Sequence, residues 1–212
     1  MEKQKERIIV FAGDSTTDSE KLNTFDRLGT GYVKLVHDAL VAFRPEEKYW
    51  VVNAGVSGNT SRDLLARWDE DVLACSPNKI FCMIGVNDVW RRLDQTGRTA
   101  DLVYEDEYEE NLSKMAEKSK AVKDFCFMTP FLMERNSQDE MRCMVQNYAQ
   151  IMKKVAQKYG RAVLDIQQKF DEFMKIRSGL SICGDRVHPG SIGSLIIARC
   201  ILQDKTGFCG EE

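Results

Sequence analysis

Five short apolar runs alternate along the chain with longer segments that carry helical periodicity. The runs cover residues 8–12, 49–53, 79–84, 124–129 and 162–166, and they are rich in Val, Ile and Phe without strict period-two alternation. Such runs are typical of strands that are buried on both faces of a parallel sheet. Helices are predicted over about 30–43, 61–74, 105–121, 138–158 and 191–203. The alternation predicts an α/β fold, a three-layer α/β/α sandwich with a mostly parallel, flavodoxin-like five-stranded sheet.

The size, charge and first residues of the chain narrow the class of protein. Its 212 residues suit one domain over residues 1–212 with a sizeable core. The formal net charge of −3 argues against a nucleic-acid binder, because such proteins carry a basic excess. No apolar run approaches the roughly 18 residues of a membrane span, and the first residues show no signal-peptide pattern. We therefore expect a cytoplasmic protein with no nucleic-acid and no membrane partner.

The cysteines and histidines form no pattern that is typical of a disulfide framework or a zinc site. Seven cysteines are scattered along the chain, an odd number without a C-x-x-C pair, and only two histidines are present. Cys82 and Cys126 lie inside predicted strands. The pattern indicates free thiols in a reducing compartment, several of them buried, and it predicts no metal site.

Four polar segments lie at the ends of predicted strands or just before the last predicted helix. Residues 13–16 (GDST) follow the first strand, 53–60 (NAGVSGNT) follow the second, and 85–88 (GVND) follow the third. Residues 185–189 (DRVHP) precede the last helix. The carboxyl ends of parallel strands meet at one edge of a sheet, where ligands bind in such folds. We therefore expect these segments to form one site.

These segments contain the groups that acyl transfer by a serine requires. Ser15 is the candidate nucleophile and His188 the candidate general base, because a serine hydroxyl needs a base to take its proton. Asp185 lies three residues before His188 and is expected to orient the imidazole and to stabilise its cation. The expected oxyanion donors are the backbone N–H groups of Ser15 and Gly58 and the side-chain amide of Asn87.

Other polar residues near these groups have plainer interpretations. His37 is the second histidine, and it lies within a predicted helix where its neighbour Asp38 is not expected to face it. We interpret His37 as a residue of the helix surface or the core edge. Asp14 precedes the nucleophile and is expected to hold the turn through backbone hydrogen bonds without taking part in catalysis. Asp88 is expected to fix the loop of Asn87.

Substrate contacts are predicted for Asn59, Trp90 and Arg91. Trp90 and Arg91 begin a polar stretch that runs to residue 100, and two interpretations of it stay open. One is a lid, or a platform on which an aromatic ring stacks against a sugar. The other is a packed tryptophan with solvated arginines. Trp50 and Trp68 are interpreted as core residues.

Four of these residues occur in the order that names the SGNH (GDSL-type) hydrolases: Ser15, Gly58, Asn87 and His188. The chain resembles this superfamily over essentially its whole length. Five segments resemble in particular its intracellular acetylxylan esterases: 28–33, 57–68, 84–91, 128–131 and 185–189. The resemblance implies a serine esterase with a Ser-His-Asp triad that removes acetyl groups from short xylo-oligosaccharides through an acetyl-enzyme. It also implies that no metal or organic cofactor is used, and some esterases of this type assemble as homo-oligomers.

Two positions depart from the pattern of those esterases, and two other functions stay open. Thr16 replaces the leucine of the GDSL name and changes no catalytic group. Gly184 stands where this esterase type tends to carry tryptophan, so we expect a more open wall near the triad. This bears on the sugar specificity more than on ester hydrolysis. The alternatives are a lysophospholipase or thioesterase of the same superfamily, and a sugar-binding module without turnover.

Overall fold

The computed structural model describes residues 6–94 and 101–203. Its strands are β1 (Arg7–Gly13), β2 (Tyr49–Gly55), β3 (Lys79–Met83), β4 (Asp124–Met128) and β5 (Ala162–Leu164). They form one sheet in the order β2-β1-β3-β4-β5, and every pair of neighbours is parallel. The α/β class and the flavodoxin-like strand order predicted from the sequence are therefore confirmed.

Helices cover both faces of the sheet. They are α1 (Ser15–Asp18), α2 (Tyr32–Phe43), α3 (Ser61–Ala66), α4 (Trp68–Asp71), α5 (Val86–Leu93), α6 (Glu105–Lys118), α7 (Glu140–Lys158), α8 (Ile166–Met174) and α9 (Ser191–Leu202). Among the residues that the structure describes, no helix is long and apolar enough to cross a membrane.

The side chains of each strand point alternately into two cores, one on each face of the sheet. In β1, Ile9 and Phe11 belong to one core, whereas Val10 and Ala12 belong to the other. The first core is completed by α2, α8 and α9, and the second by α3, α4, α5, α6 and α7. These four side chains of β1 are all buried. Burial on both faces explains why the strands are apolar without period-two alternation.

The helices differ from the sequence prediction at three places. The sequence pattern predicts no helix at the positions of α5 and α8. Helix α8 begins directly after β5 because the carboxylate of Asp165 caps it, accepting a hydrogen bond from the backbone N–H of Gln168 at 3.0 Å. The single helix predicted over 61–74 is instead divided into α3 and α4 at Arg67, whose backbone lies at φ −107° and ψ 9°.

The structure also shows where the tryptophans expected in the core lie, and whether the cysteines are free thiols. Trp68 is fully buried, as predicted, but the prediction for Trp50 was wrong, since that residue is 68% exposed. Trp50 lies on β2, which is an edge strand of the sheet. The six cysteines within the described ranges are free thiols, and Cys209 lies outside those ranges. Cys82 and Cys126 are both buried.

Candidate active site

Ser15 lies at the tight turn between β1 and α1. Asp14 caps this helix, because its buried carboxylate accepts a hydrogen bond from the backbone N–H of Thr16 at 3.0 Å. Ser15 is the first residue of α1, and its Oγ lies 2.9 Å from Nε2 of His188. Burial raises the pKa of the Asp14 carboxyl to about 6, although the hydrogen bond from Thr16 and the nearby His188 oppose that shift. These contacts agree with the turn-holding role expected of Asp14.

Asp185 contacts His188 on the opposite side of the imidazole ring. Its Oδ2 lies 2.6 Å from Nδ1 of His188. Its Oδ1 accepts hydrogen bonds from the backbone N–H groups of Val187 and His188 at 3.0 and 2.8 Å, and from the thiol of Cys183 at 3.2 Å. Partial burial alone would raise the pKa of this carboxyl, but these hydrogen bonds hold it well below its usual range. Asp185 is therefore ionised at neutral pH and able to stabilise an imidazolium.

Arg186 stabilises the loop that carries Asp185 and His188. Its backbone adopts a left-handed φ of 70°, which is unfavourable for a residue with a Cβ. The guanidinium forms ion pairs with Glu134 at 3.0 Å and with Asp139 at 2.9 Å. The carbonyl of Arg186 accepts a hydrogen bond from the backbone N–H of Met133 at 2.8 Å. These contacts hold the strained residue and tie the loop to the segment that follows β4.

The segment after β2 packs directly against α1. A Cβ on Gly55 would lie 2.2 Å from the backbone nitrogen of Asp18, so only glycine permits this approach. The carboxylate of Asp18 accepts hydrogen bonds from the backbone N–H of Ser57 at 3.2 Å and from its hydroxyl at 2.6 Å. The next residue, Gly58, turns the chain with a left-handed φ of 81°. The loop of Gly58 is thereby held against the helix that begins at Ser15.

Asn87 lies in the first turn of α5, on a helix and not in the loop expected from the sequence. Its side-chain nitrogen donates to the carbonyl of Asn59 at 3.0 Å, and the residue is 8% exposed. The neighbouring Asp88 is fully buried and accepts hydrogen bonds from the backbone N–H of Ser61 at 3.0 Å and from its hydroxyl at 2.5 Å. Both contacts join α5 to the segment that contains Gly58 and the start of α3.

Two of the candidate substrate-binding residues contact the protein itself. The side-chain oxygen of Asn59 accepts a hydrogen bond from Nε of Arg67 at 2.7 Å. The guanidinium of Arg91 donates to the carbonyl of Gly58 at 3.0 Å. Both residues therefore support the loop of Gly58. Whether they also contact a substrate stays a prediction.

A polar cavity of about 330 Å³ opens beside the serine and the imidazole. Its lining residues are Ser15, Thr16, Ser19, Glu20, Thr30, Ser57, His188 and Pro189. The ring of Trp90, the third candidate substrate-binding residue, lies 6.1 Å from the ring of His188, centroid to centroid. Residues 95–100 of the predicted polar stretch lie outside the described residues. Sequence reasoning did not single out Ser19 and Glu20, and their only signal was the position just after α1.

The other histidine makes a different contact. His37 is half-buried on α2, and its Nδ1 lies 3.0 Å from Oδ1 of Asp38. The expectation that Asp38 does not face His37 was wrong, because rotation about the side-chain bonds lets these neighbours meet over the helix surface. The hydroxyl of Ser15 meets the imidazole of His188 instead.

Comparison with known proteins assigns the chain to a family. A model of the GDSL-like lipase/acylhydrolase family matches residues 11–195. The chain belongs to this family. An acetylxylan esterase from Geobacillus stearothermophilus is 42% identical over 202 residues, which cover 92% of each protein. The resemblance to GDSL-type hydrolases read from the sequence is confirmed, and the chain is a carboxylic-ester hydrolase of this family.

Solved structures of similar proteins share the fold over nearly their whole length. The crystal structure of the Geobacillus stearothermophilus acetylxylan esterase has a TM-score of 0.88 to this chain at 41% identity, with 93% of each chain covered. An alpha/beta hydrolase enzyme from the metagenome of Lake Arreo, Spain, has a TM-score of 0.90 at 35% identity, with 97% of each chain covered. Both structures therefore have the same arrangement of elements as this chain over almost its whole length.

A buried carboxyl of this GDSL-family protein is expected to make stability depend on pH. Burial raises the pKa of Asp88 to about 7, although the hydrogen bonds from Ser61 act to lower it. At mildly acidic pH the folded state therefore keeps a proton on Asp88 that the unfolded state has released. The stability that this proton gives the folded state is present at low pH and is lost as the pH rises to about 7. We expect the free energy of unfolding to fall by about 2 kcal/mol between pH 5 and pH 8 through this group. Urea unfolding at both pH values measures the change.

The matched variants for this measurement are Asp88→Asn and Asp69→Asn. Asp88→Asn removes the buried titration and is expected to reduce the fall in unfolding free energy between the two pH values. Asp69 is exposed and pairs with Lys118, so Asp69→Asn is expected to keep the parent's pH dependence. An equal fall in the parent and in Asp88→Asn would contradict the prediction.

Proposed function

We propose that this protein is a serine esterase that hydrolyses acetyl esters of carbohydrates. The observation that carries the proposal is the continuous hydrogen-bonded series from the Ser15 hydroxyl through His188 to Asp185, with distances of 2.9 and 2.6 Å. This series opens on a polar cavity of about 330 Å³. A nucleophile, a base within hydrogen-bond reach and a group that orients the base are the parts that acyl transfer needs.

In the first half of the reaction, His188 takes the proton of Ser15 as Oγ attacks the acetyl carbonyl. The carbonyl oxygen becomes negatively charged in the tetrahedral intermediate. The backbone N–H groups of Ser15 and Gly58 and the second N–H of the Asn87 amide are the proposed donors to that oxygen. The bond between the acyl carbon and the sugar oxygen then breaks, and the imidazolium, stabilised by the ionised Asp185, protonates that oxygen so that the sugar leaves as its hydroxyl.

In the second half of the reaction, water replaces the sugar. His188 takes a proton from this water, which attacks the acetyl-enzyme on Ser15. The same donors stabilise the second tetrahedral intermediate, and acetate leaves as the proton returns to Ser15. Ser15, His188 and Asp185 already lie within hydrogen-bond distance of one another, so these proton transfers need no rearrangement of the triad.

The lining of the cavity supports a small polar substrate. The lining residues Ser19, Glu20, Thr30 and Ser57 carry hydroxyl and carboxylate groups, which are the kinds of group that bind sugar hydroxyls. The similar Geobacillus protein is named an acetylxylan esterase, which favours acetylated xylo-oligosaccharides as the partner. A Cβ built on Gly184 meets nothing within 4 Å, so open space adjoins this neighbour of Asp185. Cytoplasmic location and homo-oligomeric assembly stay predictions.

Initial rates on p-nitrophenyl esters from acetate to palmitate, with acetylated xylobiose alongside, test the substrate class. We expect a sharp preference for acetate, release of acetate from the sugar, and loss of both activities in Ser15→Ala. A preference for long acyl chains would instead assign a lysophospholipase or thioesterase. Absence of turnover on every ester, with binding of the sugar retained, would assign a binding module.

A further inference from the structure

A nearly buried arginine stands behind the loops that surround Ser15. The side chain of Arg67 is 16% exposed. Its Nη2 donates to the carbonyl of Gly13 at 3.0 Å, its Nη1 to the carbonyl of Ala54 at 2.8 Å, and its Nε to the side-chain oxygen of Asn59 at 2.7 Å. Nη1 also pairs with Asp71 at 2.9 Å. Four of the five guanidinium N–H groups thus have partners.

The two segments that this guanidinium joins, the end of β1 and the end of β2 with its following loop, carry the Ser15 and Gly58 donors. Gly13 ends β1 two residues before Ser15. Asn59 directly follows Gly58, and its own carbonyl accepts the hydrogen bond from Asn87. A shift of Asn59 would therefore move two of the proposed donors at once, because one is its chain neighbour and the other is bonded to it.

We propose that Arg67 is a positioning residue that sets the geometry of the oxyanion hole through Asn59. The inference rests on the catalytic roles proposed above. Arg67 does not contact the reacting atoms; it fixes the distance between the loop after β1 and the loop after β2. Oxyanion stabilisation depends on donors that are fixed before the reaction, so a displacement of about 1 Å in their position lowers kcat strongly.

The division between α3 and α4 fits this role. Arg67 leaves the helical conformation at the point where its side chain meets the carbonyls of Gly13 and Ala54. A lysine has one compact ammonium and lacks the planar fork of donors, so it cannot bond Gly13, Ala54 and Asn59 in the same geometry. The position therefore requires arginine in particular and not merely a positive charge.

The chain provides a matched control for removing such a residue. Arg161 also donates to three carbonyls, those of Ala116, Ser119 and Val122, at 3.1, 3.0 and 2.8 Å. It directly precedes β5 and therefore lies at the amino ends of the parallel strands, whereas Ser15 lies at their carboxyl ends. Arg67→Met removes four hydrogen bonds and Arg161→Met removes three, but only the first variant touches the proposed oxyanion loops.

The test is a comparison of kcat and KM on p-nitrophenyl acetate at a temperature where both variants are folded. We expect both to melt about 5–10 °C below the parent. Arg67→Met is expected to lower kcat by about 10²-fold with KM changed less than about threefold, whereas Arg161→Met keeps kcat within about threefold. Arg67→Lys is expected to recover part of the lost kcat.

A double variant tests whether Arg67 acts through Asn59. Asn59→Ala alone is expected to lower kcat by about tenfold, and adding it to Arg67→Met should lower kcat no further. If Arg67→Met does not fold, Arg67→Lys and Arg161→Lys replace the pair in the same comparison.

Three outcomes would overturn the inference, and they can be told apart. Equal kcat in the Arg67 and Arg161 variants would leave Arg67 a purely structural role. A raised KM at unchanged kcat would assign it to substrate binding. A parent without Ser15-dependent turnover would overturn the proposed function and, with it, the role of Arg67.

Discussion

Replacing Ser15 with alanine is expected to lower kcat on p-nitrophenyl acetate by about 10⁴–10⁶-fold. This hydroxyl forms the proposed acetyl-enzyme, and its Oγ lies 2.9 Å from Nε2 of His188. Its removal also takes away the proton that the base would accept. The backbone N–H of Ser15 remains, so residual hydrolysis through the oxyanion donors is expected to persist above the rate in water. Initial rates at saturating substrate measure the loss.

The two histidines of the chain make a matched pair for this prediction. His188→Ala is expected to cost as much as Ser15→Ala, and the double variant no more than either one, because members of a triad act as a unit. His37 has its own carboxylate neighbour at 3.0 Å but is not bonded to the serine. His37→Ala is therefore expected to keep kcat within about threefold of the parent. Activity of His188→Ala within tenfold of the parent would rule out the proposed mechanism.

The strands could be predicted from the sequence because burial on both faces leaves a simple apolar signal. Ile9 and Phe11 enter one core while Val10 and Ala12 enter the other, so the whole run is apolar. The helices α5 and α8 were missed for opposite reasons. Helix α5 is short, and its first turn carries polar groups that resemble a loop. Helix α8 begins at Ile166, which the pattern had added to the preceding strand.

The residues that the sequence assigned to the triad meet in the structure: Ser15 follows β1, and the loop before α9 brings Asp185 and His188 to it. The supporting contacts could not be predicted. Asn59 and Arg67 lie eight positions apart, before and after α3, and no local pattern predicts that their side chains meet. The backbone strain at Arg186 and its ion pairs with Glu134 likewise join segments that no local pattern connects.

Replacing Asp185 with asparagine is expected to lower kcat by about 10⁴-fold while leaving the fold intact. The amide oxygen of asparagine can still accept from the backbone N–H groups of Val187 and His188, which the aspartate accepts at 3.0 and 2.8 Å. The amide nitrogen, however, would donate to Nδ1 of His188. This favours the tautomer with its proton on Nε2, and that nitrogen can then no longer accept the proton of Ser15. The charge that stabilises the imidazolium is lost as well.

Asp38→Asn is the matched control, because Asp38 is the carboxylate that pairs with the other histidine. We expect its kcat to stay within about threefold of the parent. Circular dichroism and melting temperature establish that both variants are folded, and kcat on p-nitrophenyl acetate then separates them. An Asp185→Asn variant that retains more than a tenth of the parent's kcat would show that the imidazole is oriented without the carboxylate. The proposed triad would then reduce to a serine–histidine pair held by the loop between α8 and α9.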